Sequence, residues 1–103
     1  MKILADYQGR QVRLTDKRLA HILERPEMAS MEAAIQAALL HPEVVRRSRT
    51  DSAVYLYYRY YEKTIVGDKW LCVVVKYLEN DAFIITAYLT DKLKQEEQVW
   101  PSL

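Results

Sequence analysis

The sequence has very little glycine, proline or cysteine. With two glycines and three prolines in 103 residues, it has no flexible linker, no low-complexity tract and no glycine-rich loop to cradle a nucleotide phosphate. The single cysteine, Cys72, excludes an intramolecular disulfide. Because Cys72 lies in the apolar run from Leu71 to Val75, we expect it to be a small buried hydrophobic residue.

Long apolar runs are also missing. The longest, from Trp70 to Val75, is far short of the roughly 20 residues that a membrane-spanning helix needs. The N-terminus has no signal-peptide apolar region. We therefore expect a cytoplasmic protein without membrane contact. Two distant histidines and one embedded cysteine do not give zinc-ligand spacing, so no metal site is predicted.

The composition is that of a folded domain. Half of the residues are hydrophobic and 28% are charged, which predicts one domain over residues 1–103 and excludes disorder. The net charge is only +1, which allows a local basic patch but excludes a globally basic protein. Most of the arginines fall in the first half of the chain, at Arg10, Arg13, Arg18, Arg25, Arg46, Arg47 and Arg49.

Two short helices are predicted in the first half. Thr15 is a candidate N-cap with Asp16 in the first turn, and this helix ends before Pro26. Ser30 is a candidate N-cap for a second helix that ends before Pro42. Before them, residues 3–7 and 11–14 around Gln8 and Gly9 form either a hairpin or an extended lead-in.

The rest of the chain is β-prone. Short polar connections separate four segments rich in β-branched and aromatic residues, and this predicts an antiparallel meander. The segments are residues 43–50, 53–63, 69–78 and 82–90. The expected fold is therefore α+β, with two N-terminal helices packed on a four-stranded antiparallel sheet. Residues 90–97 form a turn or a short helix in this prediction.

Strand parity places tyrosines on both faces of segment 53–63. Tyr58 and Tyr60 share one face, and Tyr57 and Tyr61 share the other. One interpretation is that one face lines a cleft in which rings and hydroxyls meet a ligand. The alternative is that these are ordinary tyrosines of a half-buried sheet.

The first helix carries a row of basic residues. Arg18, His21 and Arg25 are spaced three and four apart, on the side opposite Leu19 and Ile22. Neighbouring cations favour neutral imidazole, which can accept a proton, and arginines can hold a phosphate. The alternative is a plain solvated helix face.

Arg46, Arg47 and Arg49 form a second basic group, on segment 43–50. Arg47 and Arg49 share a face and Arg46 lies on the other. Such a strand either contacts phosphate or carries charge at a sheet edge to prevent aggregation.

Three further residues are candidates for chemistry. Lys76 continues an otherwise apolar strand face, where it either acts on a substrate or snorkels at a strand end. Thr86 and Tyr88 share a face of the last predicted strand. This hydroxyl pair either orients a phosphodiester or is plain surface.

The order of these segments resembles the phage-associated nuclease families grouped as barnase, EndoU, colicin and RelE-like (PBECR). The resemblance covers roughly residues 10–100. It rests on residues 14–22, the His41-Pro42 turn into the basic strand, residues 71–76, residues 84–88, Lys92, Lys94 and Trp100. It implies a metal-independent ribonuclease or ribonuclease-like toxin that needs no cofactor, acts on RNA and is controlled by an inhibitor or antitoxin protein.

The resemblance also implies roles for individual residues. The catalytic set is His21, Arg46, Thr86 and Tyr88. The substrate-binding set is Arg18, Arg47 and Lys76. The implied reaction is transesterification, in which a base takes the proton of an RNA 2′-hydroxyl, cations stabilise the phosphorane and an acid protonates the leaving oxygen.

Two alternatives stay open, a non-catalytic module of the same fold that binds nucleic acid or protein, and a structural domain of an assembly. The low net charge argues against broad RNA binding.

Overall fold

The computed structural model describes residues 1–102. In chain order the elements are β1 (Lys2–Ala5), β2 (Gln11–Leu14), α1 (Asp16–Leu23), a 3₁₀ turn (Pro26–Met28), α2 (Glu32–Leu40), β3 (Val44–Arg47), β4 (Val54–Thr64), β5 (Gly67–Leu78), β6 (Asp81–Thr90) and β7 (Glu97–Trp100). Among these residues, no helix is long and apolar enough to cross a membrane.

The strands form one sheet in the order β1-β2-β6-β5-β4-β3-β7. Neighbouring strands are antiparallel except β2 and β6, which are parallel. The fold is α+β, but the prediction of two helices on a four-stranded antiparallel sheet is wrong, because the sheet is mixed and has seven strands. The predicted meander forms its centre, as β3 to β6.

The added strands extend the sheet on both sides. The β1–β2 hairpin joins β6 through Arg13, which lies beside Phe83 and binds Asp81 through two hydrogen bonds of 2.9 and 2.7 Å. On the other side, β7 pairs with β3, and the Glu97 carboxylate accepts hydrogen bonds from Arg47. Strand β3 is therefore not an edge, so its arginines do not serve to protect an edge from aggregation.

Buried Asp6 fixes the hairpin to the rest of the sheet. Its Oδ2 accepts 2.8 Å hydrogen bonds from Tyr77 Oη and Arg10 Nε, while Oδ1 accepts the backbone N–H groups of Gln8 and Arg10 at 2.9 Å. The hydroxyls of Tyr57 and Tyr77 are 2.6 Å apart. These contacts tie the turn after β1 to β4 and β5, so the hairpin interpretation is the right one.

One of the two predicted helix caps is present. Thr15 Oγ1 accepts the Arg18 N–H at 3.1 Å and begins α1. The Ser30 prediction is wrong, since α2 begins at Glu32 after Met31, which makes no side-chain cap bond. Met31 is nearly buried, and its N–H donates to the Met28 carbonyl at 2.9 Å. Core packing and the preceding 3₁₀ turn therefore set the start of α2.

The two faces of the sheet are covered differently. The helices pack on one face, which we call the helix face, where Ile22, Ile35 and Leu39 meet Tyr57 and Val73 in the main core. The opposite face carries a smaller cluster of Leu56, Tyr58 and Cys72, with Leu93 packed against it. Tyr57 and Tyr58 are adjacent in sequence and fully buried, one on each face. Cys72 is buried as predicted.

Candidate functional site

A groove runs between α1 and β6. Strand β2 lies beside β6 at Arg13 and Phe83, and further along β6 its neighbour is α1. One depression of about 280 Å³ is lined by Thr15, Lys17, Arg18 and His21. A second, of about 180 Å³, is lined by Arg13, Thr15, Arg18, Phe83, Ile84 and Ile85. Because they share Thr15 and Arg18, the two depressions form one surface, the α1–β6 groove.

The amphipathic character of α1 places His21 in this groove. Ile22 is fully buried in the main core, so the opposite side of the helix, with Arg18 and His21, faces outward. The His21 side chain is 63% exposed, and its Nδ1 lies 3.6 Å from Glu24 Oε2. This separation is too long for a hydrogen bond, and both side chains are largely exposed. Glu24 was not among the predicted site residues, although its spacing of three from His21 was the available signal.

Arg25 connects the helix to the strand. It follows α1 directly, and its Nη2 donates a long hydrogen bond of 3.5 Å to Thr86 Oγ1. The register between β5 and β6 shifts between Val74 and Val75, so Ile85 is an extra residue just before Thr86. Arg25 was recognised in the helical row but not in the candidate site. Its spacing of four from His21 was the available signal.

The groove contains more positive than negative charge. Arg13 is bound by Asp81, and this ion pair lowers the pKa of the Asp81 carboxyl. Within residues 1–102, Lys17, Arg18 and Arg25 have no carboxylate within 4.0 Å. Two of these cations, Lys17 and Arg18, line the groove beside His21, and such a surface suits an anionic ligand.

A larger depression lies elsewhere and is a weaker candidate. It measures about 400 Å³, lies at the β5–β6 turn and includes Arg10 and Arg13. Asp6 and Asp81 already neutralise these two arginines. It therefore lacks the uncompensated charge of the α1–β6 groove.

Arg46 and Tyr88 lie on the face opposite the helices. Thr86 and Tyr88 pair with Val74 and Cys72, which places both hydroxyl residues on this second face. Arg46 Nη1 donates a 2.6 Å hydrogen bond to the Lys94 carbonyl, and Lys94 Nζ lies 6.0 Å from the centre of the Tyr88 ring. Burial raises the pKa of the Tyr88 hydroxyl.

The predicted site residues therefore fall into separate groups. Arg18 and His21 line the groove. Thr86 does not line it, but it contacts Arg25 at the end of α1. Arg46 and Tyr88 lie on the second face. The two remaining residues are engaged in ion pairs, Arg47 with Glu97, and Lys76 with Asp51 at 3.1 Å.

Potential metal ligands and similarity to known proteins give no further information on the site. In the part of the chain that the structure describes, no group of three or more histidine, cysteine, aspartate or glutamate residues is placed to hold a metal ion. Comparison with protein-family models, curated proteins and solved structures found no match. The resemblance to the PBECR nucleases stays a prediction from the sequence.

Proposed function

We propose that this protein is a small metal-independent ribonuclease, of the kind that includes ribonuclease-like toxins, and that RNA binds in the α1–β6 groove. The contact between Arg25 and Thr86 carries the proposal. It joins the cationic row of α1 to the strand hydroxyl that the nuclease resemblance implicates. A phosphodiester bound there would meet Arg18, Arg25 and Thr86, with the imidazole of His21 beside it.

The groove supplies the groups that transesterification uses. Neutral His21 would take the proton of the 2′-hydroxyl as its oxygen attacks phosphorus, while Arg18 and Arg25 stabilise the phosphorane charge. The bond from phosphorus to the 5′-oxygen breaks, and that oxygen takes a proton from water, while His21 later returns its own proton to the solvent. The products are a 2′,3′-cyclic phosphate and a 5′-hydroxyl. Glu24, 3.6 Å from the imidazole, would stabilise the imidazolium that forms when His21 takes the proton.

The first prediction concerns His21. Labelled RNA is incubated with the protein in the presence of a chelator, and the rate and end groups of the products are measured. Since general acid–base catalysis contributes typically 10²–10⁴-fold, His21→Ala should reduce cleavage by at least about 100-fold. A substrate with 2′-deoxy sugars should not be cleaved.

The chain offers a matched control. His41 is the other histidine; it is exposed and lies at the C-terminal end of α2. His41→Ala should cleave RNA at the wild-type rate. Equal rates for wild type and His21→Ala, or products without cyclic phosphate, would refute the proposed mechanism.

A binding module without catalysis is the second candidate. It is favoured by the position of Tyr88, because this second proton-transfer candidate lies on the other face and not beside His21. The cations of the groove could still bind RNA phosphates. RNA binding without cleavage, weakened in Arg18→Ala and Arg25→Ala, would support this function. An inhibitor or antitoxin partner stays a prediction under either function.

A further inference from the structure

The connection between β6 and β7 crosses the sheet face opposite the helices. We call residues 91–96 the strap. The Lys94 N–H donates a 3.1 Å hydrogen bond to Tyr58 Oη, and the Lys94 carbonyl accepts the bond from Arg46. Leu93 packs against the small cluster of this face. The strap thus covers the middle of the face opposite the helices.

Polar groups are concentrated beneath the strap. Tyr58 and Cys72 are fully buried there, and Tyr88 and Arg46 are partly buried. Burial raises the pKa of the Cys72 thiol to about 11, while the adjacent tyrosine hydroxyls act in the opposite direction. Two hydroxyls and a guanidinium lie where an ordinary covered sheet face would carry apolar side chains.

The strap does not satisfy Arg46 completely. Arg46 Nε is buried and has no hydrogen-bond partner in residues 1–102. An unpaired buried donor is unfavourable, and more so on a charged group. The Lys94 carbonyl is bound at Nη1, whereas Nε–H lies on the other edge of the guanidinium, beside Nη2. A phosphate can accept two parallel bonds from such an edge. Arg46 is therefore better matched to a phosphate than to the strap.

We propose that the strap is a removable cover, and that lifting it exposes a phosphate-binding pocket formed by Arg46, Tyr58 and Tyr88. The phosphate binds through the edge of Arg46 that carries Nε, which the Lys94 carbonyl does not contact. The phosphate is that of RNA. Tyr88 lies two residues from Thr86 on the same face of β6, and Thr86 accepts the long hydrogen bond from Arg25, which links this face to the end of α1. This choice of ligand rests on the proposed function.

Few contacts hold the strap down. Its ends are held by an ion pair between Asp91 and Lys69 and by the Glu96 carboxylate, which accepts the Arg49 N–H at 2.7 Å. Asp91 is exposed, Leu93 is only partly buried, and the central anchors are the two backbone hydrogen bonds of Lys94. Segments with few apolar contacts open at lower free energy than the strands beneath them.

Cys72 provides a direct readout of strap opening. It is the only thiol in the chain, so its rate of modification by a thiol reagent under native conditions reports access to the covered face. Leu93→Ala removes the apolar anchor of the strap and should accelerate modification about tenfold, as expected from weakening the closed state by about 1.4 kcal/mol. Leu89→Ala is the matched control, since Leu89 is also partly buried but packs on the helix face.

The second measurement is binding of a fluorescent 2′-O-methyl RNA, which cannot be cleaved. When binding needs a minor open state, apparent affinity rises with the population of that state. Leu93→Ala should therefore bind up to about tenfold more tightly than wild type. Arg46→Gln in the Leu93→Ala background should remove the gain, and Arg46→Lys should restore part of it. Inorganic phosphate should compete with the RNA for the pocket.

Each result bears on the proposal. Faster modification together with Arg46-dependent tighter binding supports it. Modification of Leu93→Ala that rises only in proportion to its loss of global stability, as expected for Leu89→Ala, would overturn it. So would tighter binding that does not depend on Arg46, or unchanged affinity. Binding of inorganic phosphate without any binding of the RNA would refute RNA as the ligand. No measurement here uses cleavage, so a failure of the ribonuclease proposal is recognised separately.

Discussion

The two faces of the sheet are built from the same strands but covered in different ways. Two helices and a hydrogen-bonded aspartate close the helix face, where the main core lies. A six-residue connection without regular structure closes the second face, over a small cluster that contains hydroxyls and a thiol. A face closed by helices is a stability element, whereas one closed by a strap is able to open without unfolding the domain.

The largest expected effect would test the anchoring of the helix face. Asp6→Ala removes the acceptor of Tyr77 and Arg10 and leaves buried donors unpaired, so the free energy of unfolding should fall by about 3 kcal/mol. Urea denaturation measures this loss. Asp6→Asn keeps the size and one acceptor oxygen and should lose less. A loss in Asp6→Ala no larger than about 0.5 kcal/mol, as for a surface substitution, would contradict this account.

An intermediate effect compares the faces directly. Val73 and Val74 are consecutive on β5; Val73 is fully buried on the helix face, and Val74 is partly buried on the second face. Val73→Ala should destabilise the protein by about 2 kcal/mol and Val74→Ala by about 1 kcal/mol. Both are measured by the same urea titration. Equal losses would mean that the second face is as tightly packed as the helix face.

The smallest effect is a pH dependence that belongs to the second face. Burial raises the pKa of the Cys72 thiol from 9.0 to about 11, so the unfolded chain loses this proton at lower pH than the folded protein does. The contribution of the buried thiol to the free energy of unfolding is therefore fully present below about pH 9. It declines as the pH rises, by about 1 kcal/mol between pH 9 and 10.

Urea denaturation of wild type and Cys72→Ala across this pH range isolates the thiol. Burial also raises the pKa values of Tyr58 and Tyr88, and these add to the decline mainly above pH 10, since their ordinary pKa is about 10. The free energy of unfolding of Cys72→Ala should fall less between pH 9 and 10 than that of the wild type. An identical slope in both proteins would show that the thiol is not protected from ionisation by this face.

Local signals predicted much of the fold. The Thr15 cap, the apolar face of α1 and the four β-prone segments are short-range patterns, and each corresponds to an observed element. The parity of segment 53–63 also anticipated that Tyr57 and Tyr58 lie on opposite faces. In contrast, β7 has only four residues, and its pairing with β3 joins parts of the chain about 50 residues apart, for which no local pattern exists. The prediction missed β7 for this reason, and it missed the joining of the β1–β2 hairpin to the sheet because the pairing of Arg13 with Phe83 is also long-range.

The candidate site was predictable only in part. The row of Arg18, His21 and Arg25 follows from helical spacing alone. Its contact with Thr86 links residues that are 61 positions apart, and it depends on the register shift in β6. The sequence did not show that Arg46 and Tyr88 are covered. Nothing in the composition of residues 91–96 indicates that this segment crosses the sheet above them.

The sequence by itself determined most of the helical and extended segments and which side chains share a face, since propensity and periodicity act over a few residues. Tertiary structure alone decided the strand order, the parallel pairing of β2 with β6, the burial of Asp6 and the separation of His21 from Arg46 and Tyr88. These features depend on contacts between distant segments, and their free energy becomes available only when the whole core assembles.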